Sequence, residues 1–217
     1  GNLAYVAHGG GLTVLDVSVP SQPQRVGGYQ SPSARGVAHL NGVVYLTLGT
    51  AGLQTLDVTN PASPKRVGAC DTPGSALGVA VQEGRAYVAD GGAGLAIVDD
   101  SDVSHPRLLC TYDTPGTARN VAVVANFACV ASESEGMQIV DVSDPSHPRL
   151  VGAARGLDGR TKCMGVAIVD RCAYLAEWEL SLTVLDLNRP ANPLRLGASP
   201  GGAWDAAMVG ELAYVAE

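Results

Sequence analysis

The sequence has 217 residues, 46% of them hydrophobic and only 16% charged, so it is long enough to bury a large apolar core. Its 27 glycines and 13 prolines favour short strands joined by many turns over long helices. The net charge of −7 excludes the basic surface that nucleic-acid binding needs, and no apolar run approaches the ~20 residues of a transmembrane helix.

The chain opens with the apolar segment LAYVAH at residues 3–8, continues into GLTVLD at 11–16 and then turns through prolines. The second segment and its proline turn return four more times, each time with an aspartate at the end of the apolar run. These aspartates are Asp16, Asp57, Asp99, Asp141 and Asp186. Their spacings of 41–45 residues indicate a repeat protein of the propeller or solenoid type.

The third repeat shows the strands of one unit. Apolar residues alternate with period two over residues 78–81, 86–89, 95–98 and 108–112, which predicts four short strands, here named A, B, C and D. A four-stranded meander cannot bury both faces alone, so the units are expected to pack face to face around an axis, with strand A innermost. The predicted fold is an all-β propeller with four-stranded blades of about 42 residues.

We predict a single domain with five visible blades and a partial sixth. Its units are 1–35, 36–77, 78–119, 120–164, 165–204 and the partial unit 205–217. Strands A, C and D each occur five times but strand B six times, because GELAYVAE at the end copies GNLAYVAH at the start. A five-bladed ring would have to pair the strand A at 205–209 with the first strand B. Otherwise sheet edges stay open, and we therefore expect an excerpt of a larger propeller.

The aspartate that ends each strand C precedes a proline turn. Its carboxylate can accept hydrogen bonds from turn amides, while proline has no amide hydrogen to satisfy, so we interpret these aspartates as structural staples. A cation site is the alternative, and the extra acids Asp100 and Asp102 of the third repeat are its best candidates. That stretch, in which Val103 replaces the first proline, lacks the central glycine and distal glutamate of an EF-hand loop.

The repeats vary in length at the crossing from strand D to the next strand A. In a propeller these crossings lie on the same face as the B-to-C turns, and loops on a rigid scaffold are where ligands usually bind. We therefore predict a ligand site on this face, which we call the crossing face. The candidate ligand-binding residues are Arg35, Asp90, Arg119, Asn120, Glu177, Trp204 and Asp205.

Two interpretations of the crossing face are open. The arginines Arg35 and Arg119 could simply pair with turn acids such as Asp90 and hold the loops in place. Alternatively, the residues form a polar cup with Trp204 as an aromatic platform, suited to a peptide or a sugar.

No catalytic, metal or cofactor motif is legible in the sequence. It contains no GxSxG or HExxH motif and no Cys–His pairing, and its five cysteines include no CxxC pair. Cys129 stands where the other repeats have tyrosine, which indicates a buried apolar role. His105 and His147 share one position in the turns of the opposite face and are interpreted as exposed turn residues, while His39 has no companion at ligand spacing. We predict no catalytic residue, no metal and no cofactor.

Besides a binding site on the crossing face, two other functions remain open: a propeller enzyme and a purely structural spacer. A propeller hydrolase or lyase could use Asp90, Glu177 or Glu217 as acid or base near Arg119, and it predicts acids that converge in a deep axial pocket with at least one shifted pKa. A purely structural spacer predicts no pocket.

The pattern AYVAD-x(3)-GL-x-I-x-D, the proline turn and DTPG-x-AR resemble the LVIVD repeat, a β-propeller repeat of bacterial and archaeal proteins that are often secreted or displayed on the cell surface. The resemblance covers essentially the whole chain. Departures are Ser181 for the turn glycine, Val103 for proline and the crossing RGLDGRTKCMG at 155–165. The resemblance implies an extracellular or cell-surface scaffold or binding module for a protein or glycan, since the family has no generally assigned activity.

Overall fold

The structure, a computed structural model, describes residues 2–82, 84–155, 162–178, 181–209 and 212–216. The described residues form only β-strands, turns and loops. The strands are β1 (Leu3–His8), β2 (Gly11–Asp16), β3 (Gln24–Gln30), β4 (Val37–Leu40), β5 (Val43–Thr47), β6 (Leu53–Asp57), β7 (Lys65–Cys70), β8 (Gly78–Gln82), β9 (Arg85–Ala89), β10 (Leu95–Asp99), β11 (Arg107–Tyr112), β12 (Ala118–Val124), β13 (Phe127–Ser132), β14 (Gly136–Asp141), β15 (Arg149–Ala154), β16 (Cys163–Val169), β17 (Cys172–Glu177), β18 (Ser181–Asp186), β19 (Leu194–Pro200), β20 (Asp205–Val209) and β21 (Leu212–Ala216).

The strands form antiparallel blades in chain order, which confirms the predicted all-β propeller architecture. Four sheets, β4–β7, β8–β11, β12–β15 and β16–β19, each contain strands A, B, C and D. The first sheet, β1–β3, contains strands B, C and D, and the last sheet, β20–β21, contains strands A and B. The first of the five expected blades is therefore three-stranded in the described part of the chain.

Alternating side chains of one blade pack against its two neighbours. In the third blade, Tyr87 and Ile97 belong to a buried cluster with residues of the fourth blade. Val88 and Val98 point the other way and pack with Tyr45 of the second blade. Period-two apolar patterning thus buries both faces of each interior blade, as a stack of wedges requires.

The inner strands lie side by side around the axis, because β4 contacts β8, β8 contacts β12, β12 contacts β16, and β16 contacts β20. Glycine at the start of strand A permits this close approach. A Cβ on Gly36 would lie 2.5 Å from the carbonyl oxygen of Leu77, and one on Gly78 would lie 2.9 Å from the Cα of Asn120. Larger residues would push the blades apart at the axis.

The ring does not close at five blades within the described residues. β20 pairs with β21, with Asp205 opposite Ala216 and Val209 opposite Leu212, while β1 pairs only with β2. The closure that would join β20 to β1 is therefore not observed, and no strand of the described residues pairs with the inner edge of β1.

The five aspartates at the end of strand C staple their turns, which confirms the sequence interpretation. Each accepts a hydrogen bond from the backbone N–H two residues further on, as in the 2.8 Å bond from Ser18 to Asp16. The equivalent bonds in the other repeats measure 2.7–3.0 Å. These bonds hold the pKa of all five carboxyl groups below its usual value.

The two acids considered for a cation site lie in different environments. Asp100 is buried against Tyr45, whereas Asp102 is exposed and accepts hydrogen bonds from the N–H of Ser104 and from His105. Over the ranges that the structure describes, no cluster of three or more His, Cys, Asp or Glu side chains has a metal-binding arrangement.

Candidate functional site

Crossings and B-to-C turns meet on one face, as the sequence predicts. The hydroxyl of Thr72 and the N–H of Gly74, both in the crossing before β8, donate hydrogen bonds of 2.7 and 2.8 Å to Asp90 at the end of β9. In the next repeat, Ser132 at the end of β13 donates to the carbonyl of Pro115 in the preceding crossing. The polar residue that follows strand B therefore ties down the crossing of its own blade.

Asp90 and Glu177 are buried parts of this loop framework. Both are 0% exposed, and Glu177 accepts a 2.8 Å hydrogen bond from the hydroxyl of Thr183. Burial raises the pKa of Asp90, against the opposing effect of its bonds to Thr72 and Gly74. The interpretation that arginines pair with turn acids applies to Arg119, which pairs with the turn acid Glu133, whereas the carboxylate of Asp90 accepts hydrogen bonds from loop donors. Neither acid lines the axial cavity described next.

Inner strands line a half-open cavity of about 380 Å³ at the axis. Four of the seven predicted site residues line it together: Arg35, Arg119, Asn120 and Asp205. Its remaining lining comes from the inner strands and crossings of the second and third blades and from residues 5–7 of β1. The volume lies in the range of small-ligand pockets, and a cavity is the feature that a purely structural spacer would lack.

The two arginines of the cavity differ in their partners. Arg119 donates from Nη2 and Nε to Glu133 at 2.7 and 3.0 Å, and Lys162 lies 3.2 Å from the other oxygen of the same carboxylate. Both cations lower the pKa of Glu133, and Arg119 has the larger effect. Arg35 is exposed and has no ion pair within the described residues, so its guanidinium remains available to a ligand.

Asp205 is the acid that faces the cavity. The amide of Asn120 lies 3.5 Å from its carboxylate, and the N–H of Ala206 donates to the same oxygen at 2.9 Å. The side chain reaches solvent in the cavity, yet enough protein surrounds it that desolvation raises its pKa. A shifted carboxyl is one feature that the enzyme hypothesis predicts. Convergence of acids is the other, and neither Asp90 nor Glu177 lines the cavity with Asp205.

An aromatic pair lies beside the cavity on the crossing face. The ring of Trp204, 47% exposed, packs on Trp178 with centroids 4.2 Å apart and planes tilted by 39°. The ammonium of Lys162 lies 5.3 Å from the Trp178 ring. Sequence reasoning missed Trp178 and Lys162, although Trp178 directly follows Glu177 in a B-to-C turn. Glu217, the third acid of the enzyme hypothesis, lies outside the described residues.

Comparison with models of protein families shows which family the chain belongs to. The model of the LVIVD repeat matches residues 1–31, 33–72, 73–114, 115–155 and 161–197. The chain belongs to the LVIVD repeat family. Its five matched repeats cover most of the chain and include the strand C staples and every residue that lines the cavity except Asp205.

Two solved structures share the fold of this LVIVD protein. The computationally designed Ika8 protein matches with a TM-score of 0.72 and 8% identity, over 99% of this chain and 65% of that one. A functionally unknown protein from Desulfotomaculum acetoxidans DSM 771 matches with a TM-score of 0.81 and 14% identity, over 100% of this chain and 73% of that one. At these identities the likeness concerns the fold alone. No curated protein matches the sequence.

None of the histidines and cysteines, all of which the structure describes, lines the cavity, although His39 contacts the lining residue Tyr5. His105 and His147 contact Asp102 and Asp144 at 2.9 and 3.0 Å in exposed turns, and His39 stacks on Tyr5 with centroids 4.7 Å apart. All five cysteines are free, and Cys70, Cys129 and Cys163 are buried. Burial raises the pKa of Cys129 to about 12. No helix among the described residues has the length and apolarity of a membrane span.

Proposed function

We propose that this LVIVD propeller is a non-enzymatic binding module that presents its crossing face to a protein or a glycan. The observation that carries the proposal is the exposed Trp204 ring, packed on Trp178 beside the axial cavity. An exposed tryptophan supported by a second ring offers a large rigid contact surface, which suits a sugar ring or a protein side chain.

The charges around the site disfavour a cationic partner. Lys162 already lies over the Trp178 ring, so a second cation there would meet like charge. Arg35 is available in the cavity, whereas Glu133 is neutralised by Arg119 and Lys162. The aromatic pair and Arg35 therefore suit a neutral or anionic ligand group, which would bind on their side of the cavity and away from the acid Asp205.

Intrinsic fluorescence tests the proposal directly, because the only two tryptophans of the chain form the aromatic pair. Polygalacturonate, dextran and an extended peptide with the sequence of residues 118–124 serve as anionic, neutral and protein-like probes. We expect at least one probe to change the fluorescence saturably. Trp204→Ala and Arg35→Gln should each weaken that binding about tenfold, since each removes a main contact of the ligand.

The matched control is Arg66→Gln, which removes another exposed arginine, from the outer strand β7. It should leave the affinity unchanged. If no probe binds, or if Arg66→Gln weakens binding as much as Arg35→Gln, the proposal fails.

A hydrolase or lyase is the second candidate function, favoured by the raised pKa of Asp205 next to Asn120 and Arg119 in the cavity. Incubation with polygalacturonate tests it by the appearance of new reducing ends or of an unsaturated product. Activity that Asp205→Asn abolishes while binding persists would establish this alternative over the binding module.

An extracellular or cell-surface location is a further part of the proposal and is supported by the family resemblance alone. Labelling of intact cells with a membrane-impermeant amine reagent tests it through Lys65 and Lys162, which are both exposed. Labelling only after lysis would contradict a surface location.

A further inference from the structure

One contact between neighbouring blades recurs along the chain and involves the tyrosine of strand B. Tyr45 of the second blade is 3% exposed, and its side chain interacts with Asp100, the residue that follows strand C of the third blade. Tyr87 of the third blade packs in one buried cluster with Val142, the equivalent residue of the fourth blade. The tyrosine ring therefore fills space between its own blade and the next.

Cys129 takes the place of this tyrosine in the fourth blade, as the strand register shows. Ala122 lies opposite Cys129, as Ala80 lies opposite Tyr87. Cys129 is buried in one cluster with Leu187, the residue that follows strand C of the fifth blade. Because cysteine has no ring, it cannot fill the space that a phenol ring fills between the other blades.

A pocket of about 100 Å³ lies at this position, between the fourth and fifth blades. Ile139, which lies opposite Cys129 in the strand pairing, lines the pocket together with Leu187 and Phe127. Phe127 precedes Cys129 by two residues, so both side chains lie on the same face of β13. The pocket is therefore bounded by neighbours of Cys129 on its own strand, on the adjacent strand and in the next blade.

A second difference at the same blade interface leaves the rim of the pocket open. Between the third and fourth blades, the amide of Gln82 donates a 3.3 Å hydrogen bond to the carbonyl of Ala125, in the A-to-B turn of the next blade. Val124 holds the position of Gln82 in the fourth blade and lines the pocket. Its side chain has no donor that could bridge to the A-to-B turn of the fifth blade.

Two charged residues of that turn form the rim of the pocket. Asp170 and Arg171 both line it and are exposed. The guanidinium of Arg171 donates from Nη1 to the side-chain oxygen of Asn188 at 3.0 Å, which holds it beside the opening. The carboxylate of Asp170 can accept a hydrogen bond from a phenol hydroxyl. The pocket thus combines an apolar floor with a polar rim.

We propose that this pocket binds a small molecule with a single phenol ring, in the place that a tyrosine ring fills between the other blades. An apolar cavity of about 150 Å³ is enough to bind benzene inside a protein. The present pocket is smaller but opens to solvent at Asp170, where the hydroxyl end of the ring extends. Phe127 offers the ring an aromatic contact.

The site is independent of the proposed function. It lies at the A-to-B turns, at the other end of the strands from the crossing face. The two blades that form it are both four-stranded, β12–β15 and β16–β19.

Methyl NMR tests the proposal on the intact protein, because the chain has only three isoleucines, Ile97, Ile139 and Ile168. The probe is p-cresol, which has the ring and hydroxyl of a tyrosine side chain. We expect p-cresol to shift the δ1-methyl signal of Ile139 saturably, since the bound ring lies against it. Ile97 is the matched control: it lies opposite Tyr87 as Ile139 lies opposite Cys129, and its signal should stay unchanged. Ile139→Val assigns the signal.

Substitution of Cys129 tests whether the missing ring creates the site. Cys129→Tyr should weaken p-cresol binding more than about tenfold, because the introduced ring occupies the pocket. Cys129→Ala is the matched control, since it changes the same position without adding a ring, and it should change the affinity less than about twofold.

The results that would overturn the proposal are specific. An Ile139 signal that does not respond to p-cresol, or an Ile97 signal that shifts as much, would overturn it even if Cys129→Tyr does not fold. Undiminished binding by folded Cys129→Tyr would do the same. Tighter binding of N-acetyl-tyrosinamide than of p-cresol would overturn the assignment to a small molecule, because the occupant would then be a tyrosine of a polypeptide.

Discussion

The hydroxyl of Thr72 donates a 2.7 Å hydrogen bond to the carboxylate of Asp90, and this contact joins a D-to-A crossing to the end of strand B. The N–H of Gly74 donates to the second carboxylate oxygen at 2.8 Å. A buried acid at the rim of the candidate site thus fixes the loop that leads into the cavity, and its role is positional.

Replacement of Asp90 by alanine should destabilise the protein by about 2–3 kcal/mol, because the donors of Thr72 and Gly74 would lose their buried acceptor. Urea unfolding at pH 7 measures the effect. Asp71→Ala, in the same crossing but exposed, should change the stability by less than about 0.5 kcal/mol. Equal losses in the two variants would contradict the assigned role of Asp90.

The double variant Tyr45→Phe/Asp100→Val should be more stable than the wild type by about 1–3 kcal/mol at pH 7. Asp100 and Tyr45 are each 3% exposed, burial raises both pKa values, and Oδ1 of Asp100 has no hydrogen-bond partner within the described residues. The other repeats carry Val17, Val58, Val142 and Leu187 at the position of Asp100.

The pH dependence of this gain has a definite sign. The folded-state pKa of Asp100 lies above its unfolded value. Below the unfolded pKa the side chain is protonated in both states, so its burial carries no cost of ionisation and the stability is fully present. Stability is then lost as the pH rises through the folded pKa and the buried carboxyl ionises. Thermal melts at pH 7 and near pH 4 should therefore show a larger gain at pH 7. A double variant less stable than the wild type at pH 7 would refute the argument.

Features that depend on local spacing could be predicted from the sequence. The strand C staples are one case, since Asp57 and the N–H of Thr59 are two residues apart in any repeat. The grouping of Arg35, Arg119, Asn120 and Asp205 is another, because the start of strand A lies at the axis in every blade.

Partner choice between loops could not be predicted in the same way. The sequence places several acids on the crossing face, and the charge of Arg119 alone does not select Glu133 over Asp90. The selection depends on burial: Asp90 is 0% exposed and already holds two donors, while Glu133 remains accessible to Arg119 and Lys162. Trp178 was missed for the same reason, since its contact with Trp204 joins two separate loops.

Acid should destabilise the protein through the five strand C aspartates. Asp57, for example, accepts bonds from the hydroxyl and the N–H of Thr59 at 2.7 and 2.8 Å, and these bonds lower its pKa. A lowered folded-state pKa contributes stability that is present above the unfolded value, about 3.9, and is lost as the pH falls through the folded pKa. We expect unfolding free energies to fall steeply below about pH 4.

The decline of the unfolding free energy below about pH 4 is here called the acid limb. Asp57→Ala should make the acid limb less steep, because one of the five titrating staples is removed. Asp71→Ala should leave the limb unchanged, since Asp71 is exposed and lies outside the staple position. Urea unfolding between pH 2.5 and 6, roughly the window in which carboxyl groups titrate, measures both variants. An unchanged acid limb in Asp57→Ala would show that the staples do not couple to folding.

The exposure of one repeat position differs between blades, and this difference allows a matched test of blade packing. Val88 is 0% exposed and packs against the second blade, so Val88→Asp should bury an unpaired carboxylate and cost about 3–5 kcal/mol. Val6→Asp changes the equivalent residue of the first blade, which is 42% exposed, and should cost less than about 1 kcal/mol. Urea unfolding compares the two. A similar cost at both positions would show that Val6 is covered in solution as Val88 is, against the exposure seen here.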